Sequence, residues 1–144
     1  MARHLYACAI RWSDMDIYGV VNNVAFLRYL EESRIDFLFR AAADEGGSCF
    51  EDGAVVVRHE IDYRRQLVHR HHPVDIEIWV SQLQSATVTM DYRVMDSDTV
   101  YAVASTVMAP FDYGSGRPRR LTEAESDFFE KYLEAPVPSS ASLR

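Results

Sequence analysis

The hydrophobic period of this chain switches from helical to alternating at Gly53, and that change restricts the fold more than any other feature. Before it, from Asn22 or Asn23 to about Ala43, the pattern is helical. Phe26, Leu30, Ser33 and Phe37 fall at i, i+4, i+7 and i+11, with Leu27 and Leu38 beside them. Ser33 is small and lets another element approach closely. The stretch predicts a helix of about 18–20 residues with one broad apolar face. Either asparagine can cap its start by accepting a bond from an orphan backbone N–H, and Glu45-Gly46-Gly47 ends it. After Gly53 the period is two. Ala54 to Tyr63, Pro73 to Leu83, Ala86 to Met95 and Thr99 to Phe111 are rich in Val, Ile, Thr and Tyr, and Val74, Ile76, Ile78 and Val80 alternate with Asp75, Glu77 and Trp79. Turn signals at His71-His72-Pro73, Gln84-Ser85 and Asp96-Ser97-Asp98 separate these strands. Connections this short make mostly antiparallel hairpins.

The ends of the chain complete the pattern. His4 to Trp12 predicts a first strand with Tyr6, Cys8, Ile10 and Trp12 on one face, and Thr122-Glu-Ala-Glu125 is a capping box that opens a short helix to about Leu133. The order is an α+β layout: a five-stranded antiparallel sheet, one long helix and a short C-terminal helix. The helix covers one face of the sheet. The other face carries Trp79 and needs a cover, which points to an oligomer. A chain of 144 residues is one domain, expected over 1–134, with Ala135-Pro-Val-Pro-Ser-Ser-Ala-Ser opening a flexible tail over 135–144.

Composition removes several function classes. A net charge of −7 argues against a general binder of phosphate backbones, so no nucleic-acid partner is expected. Two cysteines, Cys8 and Cys49, make no disulfide framework and are read as small apolar residues. Met1 to Trp12 holds no signal-peptide apolar run, and no stretch approaches the ~18–20 apolar residues of a membrane span. The expectation is a cytoplasmic protein with no membrane partner. Gly-x-Ser-x-Gly, GxxxxGK[ST] and GxGxxG are all missing. His69-Arg-His-His72 lacks cysteine or carboxylate ligands at a recognised spacing, so no metal is expected.

Chemistry concentrates between Arg11 and Arg34. Asp14 and Asp16 lie in a loop just before the long helix, with Gly19 giving the tight backbone path between them and the helix. A helix N-terminus offers free N–H groups and a partial positive charge, which can polarise a carbonyl and hold an oxyanion. A carboxylate opposite them can act as nucleophile or general base. The plainer reading makes both aspartates turn and cap residues, as Asp and Asn commonly are.

The pattern Arg-Trp-x-Asp-x-Asp-x-x-Gly-x-Val-Asn-Asn, followed by an aromatic and Tyr-x-Glu-x-x-Arg, resembles acyl-CoA thioesterases of the hotdog fold, the 4-hydroxybenzoyl-CoA thioesterase-like group. Asp62-Tyr63-Arg64-Arg65 and Gly116-Arg-Pro-Arg-Arg-Leu fit it as well, and the element order fits from about Leu5 to Tyr132. The resemblance implies a sheet wrapped around the long helix, homodimers with a continuous sheet, often paired into homotetramers, and active sites at the dimer interface. It implies hydrolysis of an acyl-CoA thioester, with no cofactor beyond the CoA of the substrate. By the same resemblance Asp16 is the catalytic carboxylate, Asn23 supplies the backbone N–H that faces the thioester carbonyl, Gly19 is the loop glycine, and Asp14 is a supporting acid. Asn22, Val20 and Phe26 line the substrate site. Glu31 matches an acidic helix position, or else pairs with Arg28 or Arg34 at i±3.

If CoA binds, its phosphates need cations. Arg64 and Arg65 come first because they stand at a strand end, then Arg117, Arg119 and Arg120. The sequence departs from the family at Val20, where many members carry His, at Phe26, where Tyr is common, and at Gln66, where Pro often stands. The hairpin Ser81 to Ser85 lacks the basic residues with which some members hold CoA. That departure keeps two rivals open: an enzyme acting on acyl groups of a carrier protein, and a non-catalytic acyl-thioester binding protein.

Overall fold

The computed structural model describes residues 2–47 and 49–136. Of the expected tail, Ala135 and Pro136 are described, and 137–144 lies outside the described residues. The strands are β1 His4–Cys8, β2 Ala54–Tyr63, β3 Val74–Leu83, β4 Val88–Asp96 and β5 Thr99–Asp112, with a two-residue β6, Arg117–Pro118, added to the end of β5. All pair antiparallel, in the order β1-β3-β4-β5-β2. The five expected strands are present, and β6 is an addition.

This order explains the long helix. β1 and β2 occupy opposite edges, so the segment between them must cross the whole sheet. Helix α1, Asn23–Ile35, makes the crossing. At its start Tyr63 Oη of β2 donates to Asn23 O at 2.9 Å; just past its end His4 Nε2 of β1 meets Asp36 Oδ2 at 2.7 Å. Ala25, Phe26, Tyr29, Leu30 and Ser33 face the sheet and are buried. Opposite them stand the alternate residues of β3 and β4, from Val74 to Val80 and from Val88 to Val94. Register shifts at Val56/Arg58, Val80/Gln82 and Val94/Met95 mark bulges, and extra residues of this kind increase twist and curl a sheet around its core.

The expected unbroken helix is corrected in one place. Asp36–Ala41 is π-helical before a last α turn, Ala42–Asp44. The wider turn accompanies the seating of Phe37, which packs against the rings of His4, Phe128, Phe129 and Tyr132. Phe128 and Phe129 belong to α2, Glu123–Glu130, which the expected capping box opens: Thr122 Oγ1 accepts from Glu125 N–H, and the Glu125 carboxylate accepts from Thr122 N–H. Fully burying an aromatic side chain such as Phe37 or Phe129 is worth about 1.5–3 kcal/mol, so α2 acts as the clamp on the end of α1.

Two expectations about faces fail for identifiable reasons. The first strand ends at Cys8, and Trp12 is 73% exposed rather than sharing a face with Cys8 and Ile10. Trp12–Asp14 is a turn of 3-10 helix, closed when the Asp14 carboxylate accepts from Arg11 N–H at 2.9 Å, and that turns the chain out of the strand. Trp79 needs no second chain to cover it. It is 1% exposed because Arg3 stacks 3.8 Å over its ring and its own C-terminal segment crosses it, with Trp79 Nε1 donating to Ala135 O at 3.0 Å. That segment also bonds the backbone of Val80, through Tyr132 O and Glu134 N–H, beyond the point where β1 stops pairing with β3.

Candidate active site

The loop before α1 is a tight hairpin. Met15 and Val21 form a β-bridge, Asp16 N–H donates to Val20 O, and Gly19 N–H donates to Asp16 O, both at 3.0 Å. Gly19 sits at φ +76° with open space where a Cβ would stand, so backbone conformation alone selects glycine there. The Asp16 carboxylate ends up beside the helix start. Its Oδ1 accepts from Tyr18 N–H at 2.9 Å, and among the described residues its Oδ2 has a long 3.3 Å contact with Asn22 Nδ2 alone.

Of the two asparagines, Asn22 is the N-cap: its Oδ1 accepts from Val24 N–H at 2.8 Å. Asn23 is the first helical residue, so its N–H has no intrahelical acceptor. One asparagine therefore caps the helix and touches the carboxylate, and the next presents a backbone donor beside it.

A cavity of about 320 Å³ opens at this point, lined on one side by Asp16, Val20, Asn23 and Phe26 and on the other by Tyr63, Arg64, Arg65 and Gln66. Six of the expected site residues thus come together: Asp16, Val20, Asn23, Phe26, Arg64 and Arg65. Val21 and Tyr63 also line it and were not named as site residues; Tyr63 is the polar one. The Tyr63 ring meets Phe26 edge-to-face at 5.4 Å. The signal for Tyr63 was its place at the strand end beside the two arginines.

Asp14 stands behind the cavity rather than in its lining. It is buried, and its Oδ2 accepts from Tyr29 Oη at 2.7 Å and from Arg11 N–H at 2.9 Å, while Oδ1 meets the Arg11 guanidinium. Its own carbonyl accepts from Asn22 N–H at 2.9 Å. Burial alone would raise its pKa, but the Tyr29 hydroxyl and the Arg11 donors outweigh burial and hold the carboxyl below its ordinary value. Asp14 is a fixed anion that ties the loop to α1.

The other candidates are placed elsewhere. Arg117, Arg119 and Arg120 lie at the opposite end of β2, because β6 pairs with Phe111–Asp112 and Arg119 N–H donates to Pro110 O, opposite Ala54. Arg119 is bound to the buried Glu125 carboxylate at 2.9 Å. Glu31 is exposed and, among the described residues, makes no ion pair with Arg28 or Arg34; Arg34 is buried and donates to Tyr92 Oη. Burial pushes the thiols of Cys8 and Cys49 up to about 12, so neither is a thiolate near neutral pH. Among the described residues no three His, Cys, Asp or Glu side chains gather as a metal site needs, and no helix is long and apolar enough to cross a membrane. A larger groove of about 420 Å³ lies on the outer face of the sheet and includes Glu60, Asp62 and Asp91. It includes no residue of the α1 start, whose N–H groups the acyl-transfer chemistry requires.

Comparison with known proteins bears on the family and the fold. The model of the thioesterase-like superfamily matches residues 10–139. A predicted thioesterase from Bacillus stearothermophilus is 18% identical and superposes with a TM-score of 0.79 over 94% of this chain and 100% of that one, a likeness of fold. A thioesterase from Thermus thermophilus, solved with coenzyme A and Zn, is 27% identical with a TM-score of 0.75 over 92% of this chain and 95% of that one. No curated protein matches the chain. The curled antiparallel sheet around a long helix is the hotdog fold of these neighbours. With the family model covering nearly its whole length, the chain belongs to the thioesterase-like superfamily.

Proposed function

We propose that this protein hydrolyses acyl-CoA thioesters to a carboxylic acid and free CoA, at the cavity between the α1 start and the end of β2. One observation carries the reading: the Asp16 carboxylate and the N–H of Asn23 border the same 320 Å³ cavity as Arg64 and Arg65. The thioester carbonyl oxygen points at the α1 N-terminus, where the Asn23 N–H and the helix dipole stabilise the charge that develops on it. Asp16 Oδ2, the less engaged oxygen, faces the carbonyl carbon. It either attacks, expelling the thiolate and leaving a mixed anhydride that water cleaves, or takes a proton from the water that attacks. Both routes consume one water and release one carboxylic acid and one thiol. Arg64 and Arg65 stand at the mouth to meet phosphate oxygens.

The functional unit in this reading is a homodimer joined along β2, which can pair further into a homotetramer. The ligand of the Thermus thermophilus neighbour supports CoA as the carrier. The chain is expected to act inside the cytoplasm without a resident cofactor.

The test is free-thiol release from short, long and aromatic acyl-CoAs. Asp16→Asn, nearly isosteric, should lower turnover at least about a hundredfold while leaving the circular dichroism spectrum unchanged. Full activity in Asp16→Asn removes the site assignment. The same acyl chain offered on carrier protein separates the two carriers: faster turnover from carrier protein than from CoA transfers the assignment to that substrate.

A further inference from the structure

The peptide group between Asn23 and Val24 is held at both ends. Its N–H donates to Asn22 Oδ1 at 2.8 Å, and its carbonyl accepts from Tyr63 Oη at 2.9 Å. The first bond is the ordinary N-cap. The second comes from another element, because β2 ends beside the start of α1. In a helix each carbonyl already serves the N–H four residues on, so the helix itself does not call for this second donor. Burial holds the Tyr63 hydroxyl above its ordinary pKa, which keeps it a donor at neutral pH.

Asn22 carries the contact onward. Its backbone N–H donates to Asp14 O at 2.9 Å, so the side chain starts from a fixed base. A side-chain amide has its acceptor and its donors on opposite arms. With Oδ1 committed to Val24 N–H, Nδ2 turns the other way and meets Asp16 Oδ2 at 3.3 Å. Three bonds thus run in series, from Tyr63 through the Asn23–Val24 peptide and the Asn22 side chain to Asp16. All three donate in the same direction. Resonance joins the carbonyl and the N–H of each amide, so a donor on the oxygen strengthens the N–H as a donor. The series ends on the oxygen of Asp16 that, among the described residues, has no other partner.

We propose that Tyr63 and Asn22 are positioning residues for thioester hydrolysis: through the Asn23–Val24 peptide they aim and polarise the one donor that fixes where Asp16 Oδ2 stands. A small displacement of a reacting group is expensive in rate, and the long last link holds Oδ2 in place without occupying it as a short bond would. The inference rests on the acyl-CoA reading above and adds what orients its carboxylate.

A double-mutant cycle on acyl-CoA hydrolysis tests it. Asn22→Ser keeps the cap, since Ser serves an N-cap about as well as Asn, but it has no amide to reach Asp16. It should lower kcat about tenfold with KM little changed. Tyr63→Phe keeps the ring against Phe26 and deletes the hydroxyl. It should lower kcat about fivefold, again with KM little changed. If the bonds act in series, the double variant loses no more than Asn22→Ser alone. If the two losses multiply, to about fiftyfold, the residues act independently and the inference is overturned. A Tyr63→Phe protein with a lower Tm and wild-type kcat overturns it too, since Tyr63 is then structural. So does a change in KM alone, which traces the effect to the neighbouring Arg64 and Arg65.

The Asn22 side-chain amide gives a readout that needs no turnover. Its proton–nitrogen NMR resonance is the one that Asn22→Ser removes. Tyr63→Phe should move it upfield, as a weakened hydrogen bond does, in the direction that Asp16→Ala moves it. A resonance that Tyr63→Phe leaves in place overturns the series. A wild-type protein that releases no thiol from any acyl-CoA fails the parent reading and the positioning role with it, and the resonance then decides separately whether the bonds act in series.

Discussion

Asp14 and Asp16 show how two identical side chains, two residues apart, are given different work by their surroundings. Asp14 faces inward, where Tyr29 and Arg11 fill its acceptor positions; Asp16 faces the cavity with one oxygen lightly held. Tyr29 therefore reaches the candidate site at second hand, through Asp14 and the Asn22 N–H that Asp14 O receives. Tyr29→Phe deletes one hydrogen bond to a buried carboxylate and should cost about 1.5–3 kcal/mol of stability, read as a lower Tm. If Tyr29 positions the loop, kcat should also fall about tenfold or more with KM little changed, since small displacements at a reacting centre are expensive. A variant with the stability loss and an unaltered kcat would leave Tyr29 a purely structural residue.

At the scale of elements, Glu125 joins three parts of the fold. Its carboxylate accepts from Thr122 N–H at the start of α2, from Phe50 N–H in the loop after α1, and from Arg119 after β6. Burial pushes its pKa up, but Arg119 and the two backbone N–H groups outweigh burial and hold it below the ordinary carboxylate value. A depressed folded pKa gives stability that is fully present above the unfolded value of about 4.3 and is lost as pH falls through the folded one. Glu125→Gln removes the charge at every pH. It should cost about 3 kcal/mol at neutral pH, because the half-buried Arg119 loses its anion. Its Tm should then fall less steeply than that of wild type between neutral pH and about pH 3. Parallel Tm profiles for the two proteins would show that Glu125 does not carry this dependence.

For the whole molecule, the sheet leaves one edge open and covers the other. β1 and the segment around Leu133 occupy the backbone of β3, while among the described residues β2 has a neighbour on one side alone. Ile17 and Tyr18, 92% and 81% exposed, stand in the loop that carries Asp16, beside the same strand end. Val57→Glu puts a charge on the β2 edge, and in the proposed homodimer its two-fold mate puts a like charge in the same interface. Light scattering should then report monomers in place of dimers, and acyl-CoA turnover should fall with dimer content. Dimers that persist with full activity would place the interface elsewhere on the protein.

The sequence by itself determined the elements and named most of the residues that line the candidate cavity, because both depend on short-range spacing. The switch of period at Gly53, the Thr122–Glu125 box and the Asp-x-Asp-x-x-Gly-x-Val-Asn-Asn run are local statements. They placed the boundaries of β2, the start of α2 and the α1 cap within a residue or two. The tertiary structure decided what depends on contacts between distant segments. Trp79 asked for a cover, and the C-terminal segment 56 residues away supplied it. Spacing alone does not separate Asp14 from Asp16; the contact that does is Tyr29, folded back over the loop onto Asp14. Tyr63 joined the site because β2 crosses to the far edge and meets the start of α1. Arg117 and Arg120 were separated from Arg64 and Arg65 by the length of a strand, a distance that spacing along the chain does not encode.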